Sequence, residues 1–162
     1  MQSKELTLHG KVILERAKSS EDIRRPLGEV LPGGAYFVSE ETYRAAVDVH
    51  LPRLRQIYRN YFAQTGATAM VFPTTMVTAP SIGVNDVQIR GQAVELGIAI
   101  ARNIKPGSTV GLPGLVLPAG ITNDGLPVTL EFDGPQGSDR TLLAIGLSIE
   151  RVLGPISPPR MT

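Results

Sequence analysis

The hydroxyl groups of nine serines are the first groups to consider as a covalent catalyst in this sequence, which has no cysteine. None of these serines occupies the centre of a GxSxG motif, and the nearest match, GSTVG at 107–111, has its serine one position too early. Lys105 and Ser108 lie three residues apart, but in the reverse order of the SxxK motif, in which helix geometry brings an amine next to a hydroxyl. The residue pattern alone therefore predicts no serine nucleophile.

Two pairs of acidic residues could in principle act as a general acid and a general base: Glu40 with Glu41, and Glu131 with Asp133. A two-carboxylate mechanism requires both groups to converge on one cleft, and the sequence does not show such convergence. Adjacent acids at the start of a helix and alternate acids on a strand are ordinary features. We therefore expect both pairs to be structural.

The sequence contains few residues that could bind a metal ion or a cofactor. His9 and His50 are isolated, with no second histidine or carboxylate at metal-ligand spacing on a shared helix face. The absence of cysteine removes thiolate metal sites and disulfides. The glycine-rich stretch matches neither the P-loop nor the GxGxxG spacing, which disfavours phosphate and dinucleotide binding. We expect no metal and no cofactor.

The composition is that of a globular protein, with 42% hydrophobic residues, 19% charged residues and a net charge of +1. Because acidic and basic residues nearly cancel and are mixed along the chain, no nucleic-acid or anionic membrane partner is predicted. No run approaches the roughly 18 to 20 apolar residues of a membrane span, and the first residues lack the apolar core of a signal peptide. A cytoplasmic location is the resulting expectation.

Strands that alternate with helices predict an α/β fold. Five helices are predicted. The first two are residues 6–17 and residues 19–25, the latter ended by Pro26, and a long helix follows from an N-cap at Ser39 to about Gln64, which Pro52 should kink or divide. The last two are residues 92–104 and a helix that Ser138 caps and Gly154 ends. The predicted strands are a buried run ending at Pro73, residues 87–91, a doubly buried run at 115–118, and residues 127–133 with Val128, Leu130 and Phe132 inward. The predicted loops are residues 27–38, 71–83 and 105–114, and an NDG turn joins the last two strands.

Two helices carry the clearest apolar faces. The long helix has apolar or aromatic residues at steps of three and four, which predicts a core face rather than a ligand cage. These positions are Tyr43, Val47, His50, Leu54, Ile57, Tyr58 and Tyr61. The last helix has a similar stripe at Leu142, Ile145, Ile149 and Val152.

The most specific pattern in the chain is the spacing of glycine and proline in its second half. The segments concerned are GLPGLVLPAG at 111–120, NDGLPV at 123–128 and GPQGSD at 134–139. Together they resemble the carboxy-terminal signature of the amidase signature family of serine amide hydrolases, and VFPTTMVTAPSIG at 71–83 is a weaker match. The resemblance covers about residues 10–154 and is greatest to the indoleacetamide and mandelamide hydrolase branch.

This resemblance implies the carboxy-terminal part of the amidase signature fold, a mixed β-sheet flanked by helices that is incomplete as an isolated chain. Residues 1–154 would belong to one amidase domain, and residues 155–162 would form a flexible tail. The whole enzyme would hydrolyse a primary amide, of the aryl-acetamide type, to a carboxylic acid and ammonia through an acyl-serine. Its Ser-Ser-Lys groups come from a GGSSGG-type segment that these 162 residues lack. The resemblance therefore implies no catalytic residue in this chain and no activity for the chain alone.

Two loops are expected to line the acyl pocket, because loops at strand ends carry the sites of α/β scaffolds. They are residues 74–82 and residues 106–112. The candidate substrate-pocket residues are Thr74, Thr75, Ser108, Thr109 and Leu112.

Three interpretations of the chain stay open at this point. It is the carboxy-terminal part of an amidase, a non-catalytic chain that completes an amidase site in trans, or an unrelated small-molecule-binding α/β domain. The expected partners are an amide substrate and the missing amino-terminal amidase segment, in cis or in trans, and the sequence leaves homo-oligomer formation open. Because cutting a sheet exposes strand edges and apolar surface, we expect the isolated chain to be poorly soluble.

Overall fold

A computed structural model describes Val12, Ile13, Glu15 and residues 21–155, with the side chains of residues 21–24 outside that description. The chain forms two compact units, residues 1–50 and residues 51–162. The predicted helix at 6–17 lies outside the described residues except for Val12, Ile13 and Glu15, which are helical. Residues 156–162 of the predicted tail also lie outside them.

The first unit contains α1 (Glu21–Glu29), α2 (Glu40–Ala45) and a π-helical segment (Ala46–His50). The prediction that Pro26 ends the first helix is wrong, because α1 continues for three residues beyond it. Pro26 removes the hydrogen bond to the carbonyl of residue 22 and crowds that carbonyl, and α1 nevertheless continues past it. The predicted loop at 27–38 is confirmed from residue 30 onwards.

The helix start at Ser39 is confirmed by a hydrogen bond in which the backbone N–H of Thr42 donates to Ser39 Oγ at 3.1 Å. Pro52 was expected to kink or divide the helix that follows. The π-helical segment ends two residues before Pro52, and α3 (Leu51–Thr65) then contains the proline. A proline ring collides with the carbonyl four residues earlier, and a widened turn just before the proline relieves that collision.

The second unit is an α/β arrangement, as predicted. In chain order its elements are α3 (Leu51–Thr65), β1 (Met70–Pro73), β2 (Asp86–Ile89), β3 (Gln92–Glu95), α4 (Leu96–Ala101), α5 (Ile104–Val110), β4 (Gly114–Ile121), β5 (Pro127–Asp133) and α6 (Asp139–Leu153). Strands β1, β5 and β4 form a three-stranded sheet with β5 in the centre, and β2 pairs with β3. The strand pairs in the described residues are antiparallel.

The prediction of one helix over 92–104 is wrong, because Gln92–Glu95 forms β3 and the helical residues are split between α4 and α5. Arg90 and Gly91 have φ values of 52° and 77°, the left-handed pair that closes a two-residue hairpin. The predicted loop at 105–114 is also wrong in part, because α5 extends to Val110. Pro106 is the third residue of that helix, where its missing N–H has no intrahelical partner to lose.

One face of the three-stranded sheet packs against α6. Leu117, Phe132 and Leu142 form the buried cluster there, with Leu115, Leu130, Ile149 and Ala69 packed around it. Gly146 allows this approach, because a β-carbon at that position would collide with Leu115 Cδ2. Leu130 and Phe132 of β5 therefore face inward as predicted, whereas Val128 is outside the cluster and the intervening Glu131 and Asp133 are buried as well. The stripe predicted for α6 packs over its first three members, while Val152 in the last turn is exposed.

Some faces that the sequence predicts as buried are exposed. Val116 is 46% exposed and Val71 is 58% exposed, so neither the run at 115–118 nor β1 is buried on both faces. On α3, Phe62 is buried and Tyr58 is half-buried, whereas Tyr61 is exposed. The buried face of α3 is thus rotated by about one residue from the predicted face, which corresponds to about 100° on a helix.

Candidate functional site

The two threonines predicted to line a substrate pocket follow β1. Thr75 Oγ1 donates a hydrogen bond to the carbonyl of Val77 at 2.6 Å, which fixes the start of the loop. Thr75 lines a cavity of about 160 Å³ between this loop and the beginning of β5. The backbone N–H of Thr74 donates to the carbonyl of Thr129 at 3.3 Å, and the hydroxyl of Thr74 is buried without a partner.

The other three predicted residues lie on α5 or just after it. Ser108 and Thr109 are exposed, and Thr109 Oγ1 donates to the carbonyl of Lys105 at 2.7 Å. Gly111 ends the helix in the left-handed conformation, with φ of 76°. Leu112 is half-buried and lines a cavity of about 30 Å³, together with residues of α3 and Gln136.

The structure therefore does not bring the two predicted loops into one cavity. Thr75 and Leu112 line different cavities, and Ser108 and Thr109 line neither of them. The cavity beside Leu112 has room for about one water molecule, which is far smaller than a ligand pocket. A larger cavity of about 390 Å³ lies between β4 and the end of α6 and contains none of the five predicted residues.

A pair of buried carboxyl groups lies on the sheet face opposite the α6 cluster. Glu131 and Asp133 occupy alternate positions of β5 and are 8% and 3% exposed. The Oε2 atom of Glu131 is buried and has no hydrogen-bond partner among the described residues. The sequence predicts this pair as ordinary strand residues, and the structure shows that both side chains are enclosed.

Two glycines make room for the pair. A β-carbon at Gly107 of α5 would collide with Asp133 Oδ2. A β-carbon at Gly114 of β4 would lie 3.1 Å from Asp133 Oδ1 and 3.4 Å from Glu131 Oε1. The carboxyl of Asp133 is therefore held between a helix and a strand, and both acids face the same point above Gly114.

The environment of the pair disfavours negative charge. Burial raises the pKa of Asp133, and burial followed by the charge of Asp133 raises the pKa of Glu131. Tyr58 of α3 faces the same region, since burial and then the charge of Asp133 raise the pKa of its phenol. Neither acid lines the cavities beside Thr75 and Leu112.

The variant Gly107→Ala tests whether α5 packs directly against the side chain of Asp133. Alanine in a helix is normally favoured over glycine by about 1 kcal/mol, but overpacking an enclosed site costs about 1 to 3 kcal/mol. We expect a net loss of about 1 to 2 kcal/mol in the free energy of unfolding, measured by urea denaturation with circular dichroism.

The matched control is Gly97→Ala in α4. Gly97 is exposed, and a β-carbon there meets only the flexible Glu95 Oε1 at 3.2 Å. This variant should be neutral or slightly stabilised. Equal stability of the two variants would show that Asp133 does not support α5.

Few of the described residues could bind a metal ion or act as a nucleophile. Within them, no group of three or more His, Asp or Glu side chains could hold a metal ion. Lys105 and Ser108 both lie on the exposed surface of α5. Over the same part of the chain, no helix is both long enough and apolar enough to cross a membrane.

The three-stranded sheet packs against α6 on one face, and α5 approaches Asp133 on the other. The chain belongs to the amidase family, whose sequence profile matches residues 9–143. The resemblance seen in the glycine and proline spacing is thereby confirmed.

The relatives agree on the family and differ in their named activity. An indoleacetamide hydrolase of Agrobacterium vitis is 43% identical over 72% of this chain and 25% of its own length. A mandelamide hydrolase of Pseudomonas putida is 33% identical over 84% of this chain and 27% of its own length. A solved amidase structure superimposes with a TM-score of 0.71 at 26% identity, covering 91% of this chain and 32% of that one. This chain thus spans about a quarter of the length of these curated relatives.

Proposed function

We propose that this chain is the carboxy-terminal part of a serine amidase that hydrolyses a primary amide of the aryl-acetamide type to a carboxylic acid and ammonia. The observation that carries the proposal is the alignment with the indoleacetamide hydrolase of Agrobacterium vitis, at 43% identity over 25% of that protein. In the reaction, a serine oxygen attacks the amide carbon and ammonia leaves with a proton. Water then cleaves the acyl-serine ester and regenerates the serine.

The catalytic groups of this reaction are proposed to lie outside the chain. A Ser-Ser-Lys set requires a glycine- and serine-rich segment of the GGSSGG type, and the 162 residues contain none. The position of Ser108 is consistent with catalytic groups outside the chain, because this serine is exposed on the surface of a helix. The chain alone is proposed to be inactive.

The distribution of apolar surface supports an incomplete domain. Of the described residues, six apolar side chains are buried as a core, while twenty-two large apolar side chains are exposed. Where such side chains lie together, exposed apolar surface marks a contact with other protein. The rest of an amidase domain, which makes up about three-quarters of the relatives, is the proposed cover. Poor solubility of the isolated chain stays a prediction.

The same surface also supports a second candidate function, in which the chain completes an amidase site in trans. A separate chain with the lysine and the GGSS-type segment would then bind this one. Co-purification of the two chains would favour this candidate. An interpretation as an unrelated ligand-binding domain is excluded by the family match.

The domain boundaries and the location belong to the proposal as well. Residues 1–154 are proposed to form part of one amidase domain, and residues 155–162 a flexible tail. A cytoplasmic location is proposed as well.

The loops at 74–82 and 106–112 are proposed to form part of the acyl pocket, with Leu112 as an apolar wall. Support comes from the half-buried position of Leu112 beside Tyr58 and Phe62, which the rest of the domain would enclose further. The test is Leu112→Trp in a hybrid enzyme that joins this chain to the catalytic segment of the Agrobacterium vitis relative. We expect a change of about tenfold or more in the ratio of kcat/KM between indoleacetamide and a smaller amide.

Two comparison variants make this test specific. Thr109→Trp, also in the proposed pocket, should shift the same ratio. Leu147→Trp on α6 should not, because Leu147 is 59% exposed and α6 packs on the face of the sheet opposite the one that Asp133 shares with α5. Unchanged selectivity in both pocket variants would exclude the loop at 106–112 from the acyl pocket.

The proposal as a whole is tested by sequencing the DNA upstream of the Met1 codon. An open frame that encodes a lysine followed by a GGSS-type segment is the expected result. A stop codon close upstream would contradict a catalytic segment in cis and would favour the second candidate.

A further inference from the structure

The enclosed carboxyl groups of Glu131 and Asp133 have no role in the proposed amide hydrolysis. Both lie on the central strand of the sheet beside Gly114 of β4, and Asp133 also lies beneath Gly107 of α5. More than nine-tenths of each residue is buried, and Glu131 Oε2 has neither solvent contact nor a hydrogen-bond partner in the described structure. An ionised carboxylate in that position would have an acceptor oxygen with no donor.

The neighbouring strands provide no compensating charge. In register with the two acids, β1 supplies Met70 and Phe72, and β4 supplies Gly114 and Val116. None of these four side chains is titratable.

In the described part of the chain, no cation of the helices on this face contributes to the pKa of either acid. Tyr58 of α3 faces Asp133, and Gly107 of α5 carries no side chain. Arg55 of α3 donates its Nε–H to the carbonyl of Val110 at 3.4 Å, and Lys105 of α5 is exposed. The pKa of Glu131 is raised by burial of the side chain and, to a smaller extent, by the charge of Asp133.

We propose that Glu131 and Asp133 together hold one proton in the folded chain at pH values where exposed carboxyl groups are ionised. A proton on either acid makes that carboxyl group neutral, which removes the cost of burying its charge. The pair then carries one negative charge instead of two beneath α5. Loss of the proton places two like charges in an enclosed site and weakens the contact between α5 and the sheet.

The direction of the pH dependence follows from this arrangement. The folded chain holds a proton that the unfolded chain has already released, so raising the pH favours the unfolded state. The stabilisation by the pair is present at acidic pH and is lost as the pH rises through the folded-state pKa of the pair. This inference concerns the chain itself and does not depend on the proposed amidase activity.

The experiment measures the folding equilibrium of the complete 162-residue chain by urea denaturation, monitored by circular dichroism at low micromolar concentration, from pH 4.5 to 8.5. For the wild type we expect the folding constant to fall by up to about tenfold per pH unit where the pair titrates. In Glu131→Gln, this fall should be smaller and lie at lower pH than in the wild type, because Asp133, whose pKa burial raises, then titrates alone beside a neutral amide. Glu95→Gln, at an exposed position of β3, should keep the wild-type profile.

A second measurement does not depend on the folding of a variant. The carboxyl carbons of Glu131 and Asp133 in the ¹³C-labelled wild type should give one resonance that titrates above the range of the exposed glutamates. The inference is overturned if both carbons titrate together with the exposed carboxyls, or if wild type and Glu131→Gln show parallel pH profiles of stability.

Discussion

The isolated chain is expected to release no ammonia from indoleacetamide or mandelamide above the uncatalysed background. Removing the nucleophile or its base from a serine hydrolase lowers kcat on the order of a millionfold, and this chain lacks both groups in the proposed division of the enzyme. The remaining side chains cannot replace them. Ser108 is exposed on α5, and the acids of β5 are enclosed.

The measurement is an ammonia-release assay with the full-length Agrobacterium vitis relative as the positive control. Ser108→Ala serves as the second control, since it removes the serine of the GSTVG segment. Hydrolysis that stays with the purified chain and disappears in Ser108→Ala would show that the chain carries its own nucleophile. Such a result would refute the proposed division of the enzyme.

Phe132→Ala is expected to destabilise the chain by about 3 to 5 kcal/mol. Phe132 is 7% exposed, lies on the central strand and belongs to the cluster with Leu117 and Leu142. Strand β5 is the only link between β1 and β4 in the three-stranded sheet, so a cavity at this position loosens both strand pairs. Since typical domains are stable by about 5 to 15 kcal/mol, this loss is a large fraction of the free energy of unfolding.

Urea denaturation monitored by circular dichroism measures this loss. The matched control is Val152→Ala on α6, because Val152 is 85% exposed. That change should alter the free energy of unfolding by no more than about 0.5 kcal/mol. A loss below about 1 kcal/mol for Phe132→Ala would mean that the cluster around Leu117 is not the core of the second unit.

Local chemistry made much of the fold predictable. Ser39 offers an oxygen to the N–H groups of a helix start, and the NDG segment supplies the left-handed residue that a tight hairpin requires. The alternation in 127–133 predicted that Leu130 and Phe132 of β5 face inward, which the structure confirms. Each of these signals lies within a few residues of the feature that it predicts.

The features that the sequence did not predict depend on context. Residues 92–95 have helix-compatible side chains, and the hairpin that makes them a strand depends on Arg90 adopting a positive φ. The pair of Pro106 and Gly107 is typical of a loop, yet the proline falls in the first turn of a helix and the glycine fits over Asp133. These outcomes are decided by packing partners rather than by neighbours in the sequence.

The burial of the two carboxyl groups is also decided by packing partners that are distant in the sequence. Glu131 and Asp133 alternate on a strand, which is the pattern of a solvent-exposed face. Their burial results from Gly107 and Gly114, which are distant in sequence and which let a helix and a neighbouring strand approach closely. Two glycines that flank an acidic strand are the signal that could have indicated an enclosed site.

The central claim is that this chain forms the carboxy-terminal part of an amidase and acts only with a catalytic segment. It is tested most directly by replacing the aligned carboxy-terminal quarter of the Agrobacterium vitis indoleacetamide hydrolase with this chain and measuring ammonia release from indoleacetamide. The claim predicts hydrolysis that requires both parts and is absent from either part alone. A hybrid that folds, as judged by a cooperative melting transition, and yet releases no ammonia would contradict it.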